Sequence, residues 1–179
     1  MESSDLSELV TLHGNAIYGF CHKLAKNKSD TDDLYQETFL RAMELRHKID
    51  KNNNPKGFLI SIAIGLWKNK RRKFAWRLRI APIQEMKEDV ESDHLFRDES
   101  TPEDILLSNE RCVKIAAATD ALNDKLKIPL YMYYTAEMSI EEIASALKIP
   151  PGTVKSRLFQ ARKALRNTLE LEVDQDARF

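Results

Sequence analysis

Glycine and proline, the residues that most often form turns, are scarce in this sequence. Its 179 residues include 5 glycines and 6 prolines, a combined share of about 6%, where the average protein has about 12%. Sandwiches and barrels need many turns between short strands, so this scarcity argues against them and favours helices. Hydrophobic residues make up 42% of the chain and charged residues 31%, as in a folded helical protein rather than a disordered one. The sequence therefore predicts an all-α fold.

The charges are unevenly distributed, although 28 basic residues balance 28 acidic ones. The range 55–80 holds eight basic residues and no acid, and the range 148–167 holds six basic residues and no acid. Between them, the range 81–110 holds ten acids and two bases. Two basic segments around an acidic one are typical of a two-part nucleic-acid binder whose connecting segment does not bind a polyanion.

Hydrophobic spacing predicts the helices of the first half. Apolar residues recur at helical intervals over residues 5–27, and the capping sequence Ser-Asp-Thr-Asp at 29–32 begins a second helix that should end near Ile49. Residues 52–55 (Asn-Asn-Asn-Pro) are typical of a loop. Isoleucines alternate over residues 58–67 as in a strand, but no second strand is available to pair with them, so a helix is predicted there.

A helix pair is the clearest local pattern in the second half. Residues 139–142 (Ser-Ile-Glu-Glu) form a capping box that begins one helix, residues 148–150 break it, and Pro151-Gly152-Thr153 begins another. This arrangement predicts a helix-turn-helix over about residues 140–159. Its second helix carries basic and polar side chains suited to phosphates and base edges, although a helix pair with a solvated basic face would show the same pattern.

The acidic segment separates two predicted domains. Residues 81–100 are weakly periodic, and Thr101-Pro102-Glu103-Asp104 is a helix start with a threonine cap and acids in the first turn. We therefore expect two helical domains joined by a flexible acidic linker. The expected ranges are a helical bundle at 1–78, the linker at 79–104, a helix-turn-helix domain at 105–172 and a tail at 173–179.

Sites for metals, cofactors and catalysis are not expected. Cys21 and Cys112 match no zinc or iron–sulfur spacing, and we expect both to be buried, reduced thiols. The four histidines form no paired arrangement and no glycine-rich phosphate loop is present, so the sequence predicts no cofactor and no enzyme activity. No secretory signal is visible, and the longest nearly apolar run, at 58–67, is half of the roughly 20 residues that a membrane span requires. A cytoplasmic location is expected.

Three stretches of the sequence resemble conserved regions of one family. Residues 138–169 read MSIEEIASALKIPPGTVKSRLFQARKALRNTL, which resembles the fourth conserved region of bacterial RNA polymerase sigma factors, especially of the extracytoplasmic-function (ECF) group. Residues 29–46 read SDTDDLYQETFLRAMELR, similar to the family's core-binding helix. Residues 54–73 read NPKGFLISIAIGLWKNKRRK, in the place of its promoter-melting helix. The resemblance implies a sigma-70-type factor that binds RNA polymerase core and directs promoter-specific initiation, for a stress or envelope regulon.

The resemblance also implies three sets of contact residues. The clamp helices of the polymerase's largest subunit would be contacted by Asp33, Leu34, Gln36, Glu37, Phe39, Leu40 and Arg41. The minus-10 promoter element would be contacted by Asn52, Asn53, Asn54, Lys56, Lys68, Lys70, Arg71, Arg72 and Lys73. The minus-35 element would be contacted by Gly152, Thr153, Lys155, Ser156, Arg157, Phe159, Gln160 and Arg162. Trp67 is expected to pack in the core rather than to stack on a base.

The sequence departs from the family pattern in both DNA-contacting helices. Where the family usually has tryptophan, basic residues, asparagine or aspartate, this chain has Phe58, Ser61, Ile64, Gly65 and Asn69. These departures leave the individual minus-10 contacts open. In the recognition helix, Gln160 stands where arginine is common. A glutamine amide pairs with N6 and N7 of adenine, so it would favour adenine over guanine.

Other functions remain as alternatives to a sigma factor. The implied partners are RNA polymerase core, through its clamp helices and the flap of its second subunit, promoter DNA and an anti-sigma factor, without membrane insertion of the chain itself. The main alternative is a stand-alone helix-turn-helix transcriptional regulator with an N-terminal sensor or interaction domain, and a third is an anti-sigma-type adaptor. The first basic segment and the helix at 29–46 argue against the stand-alone regulator, and both basic segments argue against the adaptor. Co-elution with core polymerase separates a sigma factor from a stand-alone regulator.

Overall fold

Helices form the regular structure of the described chain. The structure, a computed structural model, describes residues 3–50, 53–80 and 102–176. Seven α-helices and one short 3-10 helix lie within these ranges, which contain no strand. The α-helices are α1 (Ser3–Ala25), α2 (Lys28–Glu44), α3 (Pro55–Ile80), α4 (Pro102–Ala121), α5 (Asp124–Tyr134), α6 (Ile140–Leu147) and α7 (Pro151–Asp176). The all-α prediction is confirmed, including the helix expected at 58–67, which lies inside α3.

Helix α2 differs at both ends from its predicted bounds. It begins before the predicted capping sequence, because the Oδ1 atom of Asn27 accepts a 2.8 Å hydrogen bond from the Asp30 amide and so caps the helix. It also ends before Ile49. At Leu45 the backbone leaves the α-helical conformation, with φ −95° and ψ 14°. From there the chain continues as a 3-10 helix over Arg46–Lys48.

Contacts divide the chain into two compact units. The first contains Met1–Glu91 and Tyr131–Ile149, and the second contains Ser92–Leu130 and Pro150–Phe179. The domain borders predicted at 78/79 and 104/105 follow composition and charge rather than contacts, and they stay a prediction. Residues 81–101, which include most of the predicted linker and the Thr101 cap, lie outside the described residues.

The core of the first unit joins α1, α2, α3 and α6. Helix α1 packs on α2 and α3, α2 packs on α3, and α3 packs on α6. The large, fully buried apolar side chains of this unit are Ile17, Phe20, Leu59, Ile60, Met132, Met138 and Ile143. Burial of each such side chain contributes about 1.5–3 kcal/mol relative to exposure, so this core fixes which faces of α2 and α3 point outward.

The second unit is organised around one stripe of α7. Helix α4 packs against α7, and the buried residues Val154, Leu158 and Ala161 recur along α7 at intervals of four and three. Residues at this spacing lie on one side of an α-helix. The opposite side of α7 is therefore left for solvent or for a ligand.

The chain between α6 and α7 shows the predicted cap, break and start. The Ser139 hydroxyl accepts a 3.2 Å hydrogen bond from the Glu142 amide, and the Glu142 carboxylate accepts one of 2.7 Å from the Ser139 amide. Helix α6 ends at Lys148, whose backbone is left-handed (φ 54°, ψ 48°), a common way to end a helix. The Pro150 carbonyl then accepts bonds of 2.9 and 3.2 Å from two amides in the first turn of α7. The predicted cap, break and second helix start are therefore present, and the helix-turn-helix over about residues 140–159 stays a prediction.

Candidate nucleic-acid and polymerase interfaces

Helix α2 presents a mixed polar and apolar face to solvent. Its exposed residues include Asp33, Gln36, Glu37, Leu40 and Arg41. The Leu40 side chain is 62% exposed although it is fully apolar, and the Arg41 guanidinium pairs with Glu44 on the next turn. A large exposed apolar side chain among charges is a composition that protein–protein interfaces use.

Leu34 and Phe39 lie on the buried side of α2 instead. Their exposed fractions are 5% and 9%, and the Phe39 ring packs edge-to-face on Tyr35 with 4.9 Å between ring centroids. Between them, the buried Thr38 hydroxyl donates a 2.6 Å hydrogen bond to the Leu34 carbonyl. The expectation that Leu34 and Phe39 contact a polymerase is thereby corrected. The apolar spacing that suggested a partner surface belongs to the face of α2 that packs on the bundle.

The loop before α3 is held by one asparagine side chain. The Asn54 Oδ1 atom accepts a 2.9 Å hydrogen bond from the Gly57 amide and caps α3. Its Nδ2 atom donates a 2.9 Å hydrogen bond to the Glu142 carbonyl in the first turn of α6. Asn53 is exposed, and Asn52 lies outside the described residues. The candidate minus-10 loop is therefore anchored at Asn54.

Lys56 is bound to backbone carbonyls of the segment before α6. Its Nζ atom donates hydrogen bonds to the carbonyls of Ala136, at 2.9 Å, and Glu137, at 3.1 Å. The Lys56 ammonium also affects the half-buried His13. Burial lowers the pKa of His13, the Lys56 ammonium lowers it further, and the Glu142 carboxylate raises it. The start of α3 is thus a polar contact region within the first unit.

The second half of α3 is a continuous exposed basic segment. Every residue from 68 to 80 is exposed. The basic residues in this range are Lys68, Lys70, Arg71, Arg72, Lys73, Arg77 and Arg79. Lys70 forms an ion pair with Asp30 and, as its main cause, lowers the pKa of that carboxyl. Phe74 and Trp76 are 61% and 64% exposed between these cations, a combination used to bind single-stranded nucleic acid.

Trp67, which is predicted to pack in the core, lies at the end of the packed half of α3. It is half-buried, and its indole Nε1–H donates a 3.0 Å hydrogen bond to the Leu24 carbonyl of α1. The Arg71 guanidinium lies over its ring, 4.6 Å from the centroid, a cation–π contact. Trp67 therefore holds α3 on the bundle.

The departures from the family pattern fall on both halves of α3. Phe58 and Ser61 are half-buried and Ile64 is 6% exposed, and the Ser61 hydroxyl donates a 2.7 Å hydrogen bond to the Phe58 carbonyl. Gly65 and Asn69 are exposed. Three of the five departures thus lie where the helix packs, so they alter the bundle contact as well as any DNA surface.

The outward side of α7 carries most of the candidate minus-35 residues. Exposed residues of that set are Gly152, Lys155, Ser156, Phe159, Gln160 and Arg162, whereas Thr153 and Arg157 are half-buried. Phe159 is 64% exposed, unusual for a phenylalanine in a folded domain. Lys163 is also exposed and shares the stripe of Ser156 and Phe159 by helical spacing. The predicted set of minus-35 contacts does not include Lys163, although its helical spacing from Ser156 and Phe159 places it on the same face of α7.

The two cysteines differ in environment. Cys21 is fully buried, and burial raises the pKa of its thiol to about 12, so it stays protonated. Cys112 is exposed, so the expectation that both cysteines are buried is wrong for Cys112. It lies on a part of α4 where positions 111 and 113 are exposed as well. Within residues 3–50, 53–80 and 102–176, no cluster of three or more potential metal ligands occurs. In the same ranges, no helix is both long and apolar enough to cross a membrane.

Family models match both halves of the chain. Residues 9–77 match sigma-70 region 2, and residues 112–165 match sigma-70 region 4. Together these two matches cover more than half of the 179 residues. The first match includes most of the basic half of α3, and the second includes the exposed face of α7.

Similar proteins and structures carry related names. The chain is 29% identical over 167 residues to the ECF RNA polymerase sigma factor SigW of Bacillus subtilis, covering 91% of this chain and 88% of the relative. It is 28% identical over 169 residues to the RNA polymerase sigma factor HrpL of Pseudomonas syringae pv. syringae, covering 94% and 89%.

Two solved structures share the fold. The sigma factor RpoE of Bartonella quintana, solved with the anti-sigma factor NepR, superposes with a TM-score of 0.72 at 20% identity, covering 93% of this chain and 98% of that one. CnrH, solved with the cytosolic domain of CnrY, gives 0.67 at 18% identity, covering 95% and 90%. With both conserved regions matched in order and full-length relatives of the same kind, this chain belongs to the sigma-70 family of RNA polymerase sigma factors, in its ECF group.

Proposed function

We propose that this protein binds RNA polymerase core in the bacterial cytoplasm and directs it to specific promoters, without enzyme activity of its own. The observation that carries the proposal is the outward face of α7, where polar, basic and aromatic side chains stand opposite the buried stripe of Val154, Leu158 and Ala161. That face lies in the segment matching sigma-70 region 4. The polymerase core then performs catalysis and this chain supplies promoter choice, for a stress or envelope regulon.

The minus-35 element is proposed to meet the first turns of α7. The helix starts at Pro151, so the positive end of its dipole favours phosphate there. Lys155, Ser156, Phe159 and Gln160 follow on exposed positions from which side chains reach base edges in a major groove. Arg157 and Arg162 lie toward the sides of this face and are proposed to bind the backbone, which adds affinity without sequence preference.

The minus-10 element is proposed to meet α3. The exposed cations from Lys68 to Lys73 can bind backbone phosphates, and the exposed aromatic rings of Phe74 and Trp76 offer stacking surfaces for unpaired bases. Asn53 is exposed just before the helix, where its amide suits a hydrogen bond to a base, whereas contact by Asn54 or Lys56 would require them to release their backbone carbonyl partners. Promoter melting needs such a basic surface because single strands keep their phosphate charge when they separate.

The polymerase clamp helices are proposed to meet the exposed face of α2. Leu40 is the apolar centre of that face, and Asp33, Gln36, Glu37 and Arg41 surround it. An apolar anchor with a polar rim is the usual arrangement at protein interfaces. Contact of the second region with the polymerase flap, and inhibition by an anti-sigma factor, are further parts of the proposal. The complexes of the two structural neighbours with anti-sigma factors support the latter.

Reconstitution with core polymerase tests the proposal. The protein should co-elute with core and enable transcription from a subset of promoters, whereas a stand-alone regulator would do neither. Within this assay, Leu40→Ala and Glu37→Lys should each weaken core binding about tenfold, because each removes part of a desolvated interface. Leu12→Ala is the matched control, since Leu12 is 66% exposed on α1. Unchanged core affinity of both α2 variants, with intact helicity, would contradict the proposed docking face.

A further inference from the structure

Helix α3 loses its packing contacts within a single turn. Ile64 is 6% exposed, Leu66 and Trp67 are half-buried, and every residue from 68 to 80 is exposed. At about 1.5 Å per residue, the exposed half projects about 20 Å beyond Trp67. All of these residues lie in the first unit. The contacts near Trp67 therefore decide the direction in which the basic segment and its aromatic rings point.

A weak point of the helix lies just before Trp67. Gly65 is exposed inside α3, and a Cβ atom there would meet nothing within 4 Å, so no neighbouring group requires a glycine. Glycine in the interior of a helix costs about 1 kcal/mol relative to alanine. Bending in the middle of α3 is therefore easiest at Gly65, between the packed half and the exposed half.

Two contacts beyond Gly65 tie α3 back to the bundle. The Trp67 indole Nε1–H donates a 3.0 Å hydrogen bond to the Leu24 carbonyl, which lies in the last turn of α1, where carbonyls have no partner within the helix. The Lys70 ammonium pairs with Asp30, but these side chains are 56% and 38% exposed, so the pair contributes little. The hydrogen bond of Trp67 is thus the stronger of the two contacts.

A small change of direction at Trp67 has a large effect at the aromatic rings. Trp76 lies about 14 Å further along the helix axis, so a bend of about 10° displaces it by about 2 Å. Stacking on a base needs atoms about 3.5–4.0 Å apart and is lost over such a displacement. Attraction between cations and phosphates extends over a Debye length of about 8 Å and is not lost. The direction of α3 should therefore matter more for holding unpaired bases than for binding a duplex.

We propose that Trp67 is a positioning residue, which braces α3 beyond Gly65 and holds its exposed half in the one direction that promoter opening needs. Binding of the closed promoter duplex does not need this brace. The inference rests on the proposed function for the role in opening, whereas the fixed direction of α3 is a property of the protein without DNA.

Three substitutions separate the brace from ordinary packing. Trp67→Phe removes the hydrogen bond and keeps an aromatic ring beneath the Arg71 guanidinium. Gly65→Ala strengthens the helix at its weak point without a clash, so it should compensate for the loss of the brace. Tyr18→Phe is the matched control, because it removes a 2.8 Å hydrogen bond from the Tyr18 hydroxyl to Asp32, which joins α1 to α2 and does not involve α3.

Spin labels on α1 and α3 measure the direction of the exposed half. Asn15→Cys and Ala75→Cys place the labels on exposed positions outside the proposed contact sets. Cys112→Ser removes the exposed native thiol, and Cys21 is fully buried and shielded from labelling. Pulsed electron–electron distance measurements on the full chain give the distribution of label separations, and its width reports how far the direction of α3 varies.

The labelled background protein should show a narrow distribution. Trp67→Phe should widen it about twofold, as expected for a bend of about 10° at this distance from the label. Gly65→Ala added to Trp67→Phe should narrow it again, and Tyr18→Phe should leave it unchanged. A wide distribution in the background protein would overturn the brace. An unchanged width in Trp67→Phe, with helicity shown intact by circular dichroism, would overturn it as well, and a failure of Gly65→Ala to narrow the width would refute bending at Gly65.

Promoter opening is measured on the holoenzyme in a second arm. A 2-aminopurine base in the minus-10 element becomes fluorescent when the strands separate, and titration of the same duplex in the cold gives binding before opening. Trp67→Phe should lower the ratio of open to closed complexes about fivefold, as for the loss of one net hydrogen bond, with the closed-complex affinity unchanged. Adding Gly65→Ala should restore opening.

The two measurements separate failure of the brace from failure of the proposed function. Equal losses of binding and opening in Trp67→Phe would overturn the positioning role, because a general loss of structure affects both. A protein that shows the narrow distance distribution but binds neither core polymerase nor promoter DNA would refute the proposed function, and with it the role in opening. The fixed direction of α3 would still stand.

Discussion

Helices α3 and α7 are both 26 residues long, and both are rich in basic residues, but they arrange their charge differently. In α3 the buried residues, from Gly57 to Ile64, precede every basic residue except Lys56, so apolar and charged parts follow one another along the axis. In α7 the buried stripe and the polar face run side by side, so the two parts lie around the axis. Two helices of equal length thus present two different basic surfaces.

The difference indicates two modes of DNA contact. A helix with one polar face can lie in a groove and present successive side chains to base edges, as α7 can. A helix that is exposed on all sides over residues 68–80 has no fixed face for a groove, but it offers cations and aromatic rings in every direction. Such a segment suits irregular, partly single-stranded DNA. We therefore expect α7 to provide base preference and the second half of α3 to provide affinity for open strands.

The largest effect, a loss of folding stability, should come from a substitution in the buried half of α3. Ile60 is fully buried, whereas Ile80 at the other end of α3 is 63% exposed. Ile60→Ala should lower the free energy of unfolding by about 2–5 kcal/mol, because it removes buried methyl groups and leaves a cavity. Ile80→Ala should change it by less than about 0.5 kcal/mol. Urea unfolding followed by circular dichroism compares them, and equal losses would show that α3 is not divided into a packed half and a free half.

The next effect concerns the base preference that α7 provides at the minus-35 element. Gln160→Ala should cost about 1–3 kcal/mol at a single base pair of the minus-35 element and relax the preference there. Arg162→Ala should weaken binding to every sequence alike and reduce the salt dependence by about one counterion. Holoenzyme titrations against a minus-35 substitution library at two salt concentrations distinguish the two results.

Lys68→Ala on α3 completes that comparison. It should behave like Arg162→Ala, since Lys68 belongs to the exposed basic segment. If Gln160→Ala leaves the preference profile unchanged, Gln160 does not contact a base, and the outward face of α7 is rotated by about one position from the proposed one.

Local signals in the sequence were sufficient to predict the helices and the break between α6 and α7. The Ser139 capping box and the break before Pro151 depend on neighbours within four residues, so they are readable without a structure. The periodic burial of Ile17, Phe20 and Leu24 in α1 is likewise local. These features account for the agreement between the predicted fold and the observed one.

Two parts of the site depend on the rest of the molecule. Leu34 and Leu40 are both leucines on one helix, yet one is 5% and the other 62% exposed, and only the packing of α1 and α3 decides between core and interface. The contact of Lys56 is hidden for another reason. Its acceptors are the carbonyls of Ala136 and Glu137, and since every residue has a carbonyl, the sequence carries no sign of them.

A smaller effect is expected for the ion pair that links the exposed half of α3 to α2. The Lys70 and Asp30 side chains are 56% and 38% exposed, so solvent screens the pair and Lys70→Met should destabilise the protein by less than about 1 kcal/mol. The hydrogen bond from Lys70 lowers the pKa of Asp30, and Asn27 lowers it further. The contribution is therefore present above the usual pKa of about 3.9 and is lost as the pH falls below it. Lys163→Met on α7 is the control, and a loss that resists high salt would contradict this account.

The smallest effect should be a pH dependence at the packed end of α3. Burial lowers the pKa of His13, the Lys56 ammonium lowers it further, and Glu142 raises it. The unfolded chain then binds a proton more readily than the folded one, so the free energy of unfolding falls as the pH drops through about 6.5 and levels off below the folded-state pKa. Lys56→Met should weaken this dependence, because it removes one cause of the lowered pKa. Glu142→Gln should strengthen it, since glutamine keeps an oxygen for the Ser139 amide but loses the charge. Urea titrations at about pH 7.5 and 5.5 measure the change, with His13→Gln as the reference that lacks the group. Opposite changes in the two variants would place His13 in the field of both charges, and an unchanged pH dependence in both would show that burial alone sets its pKa.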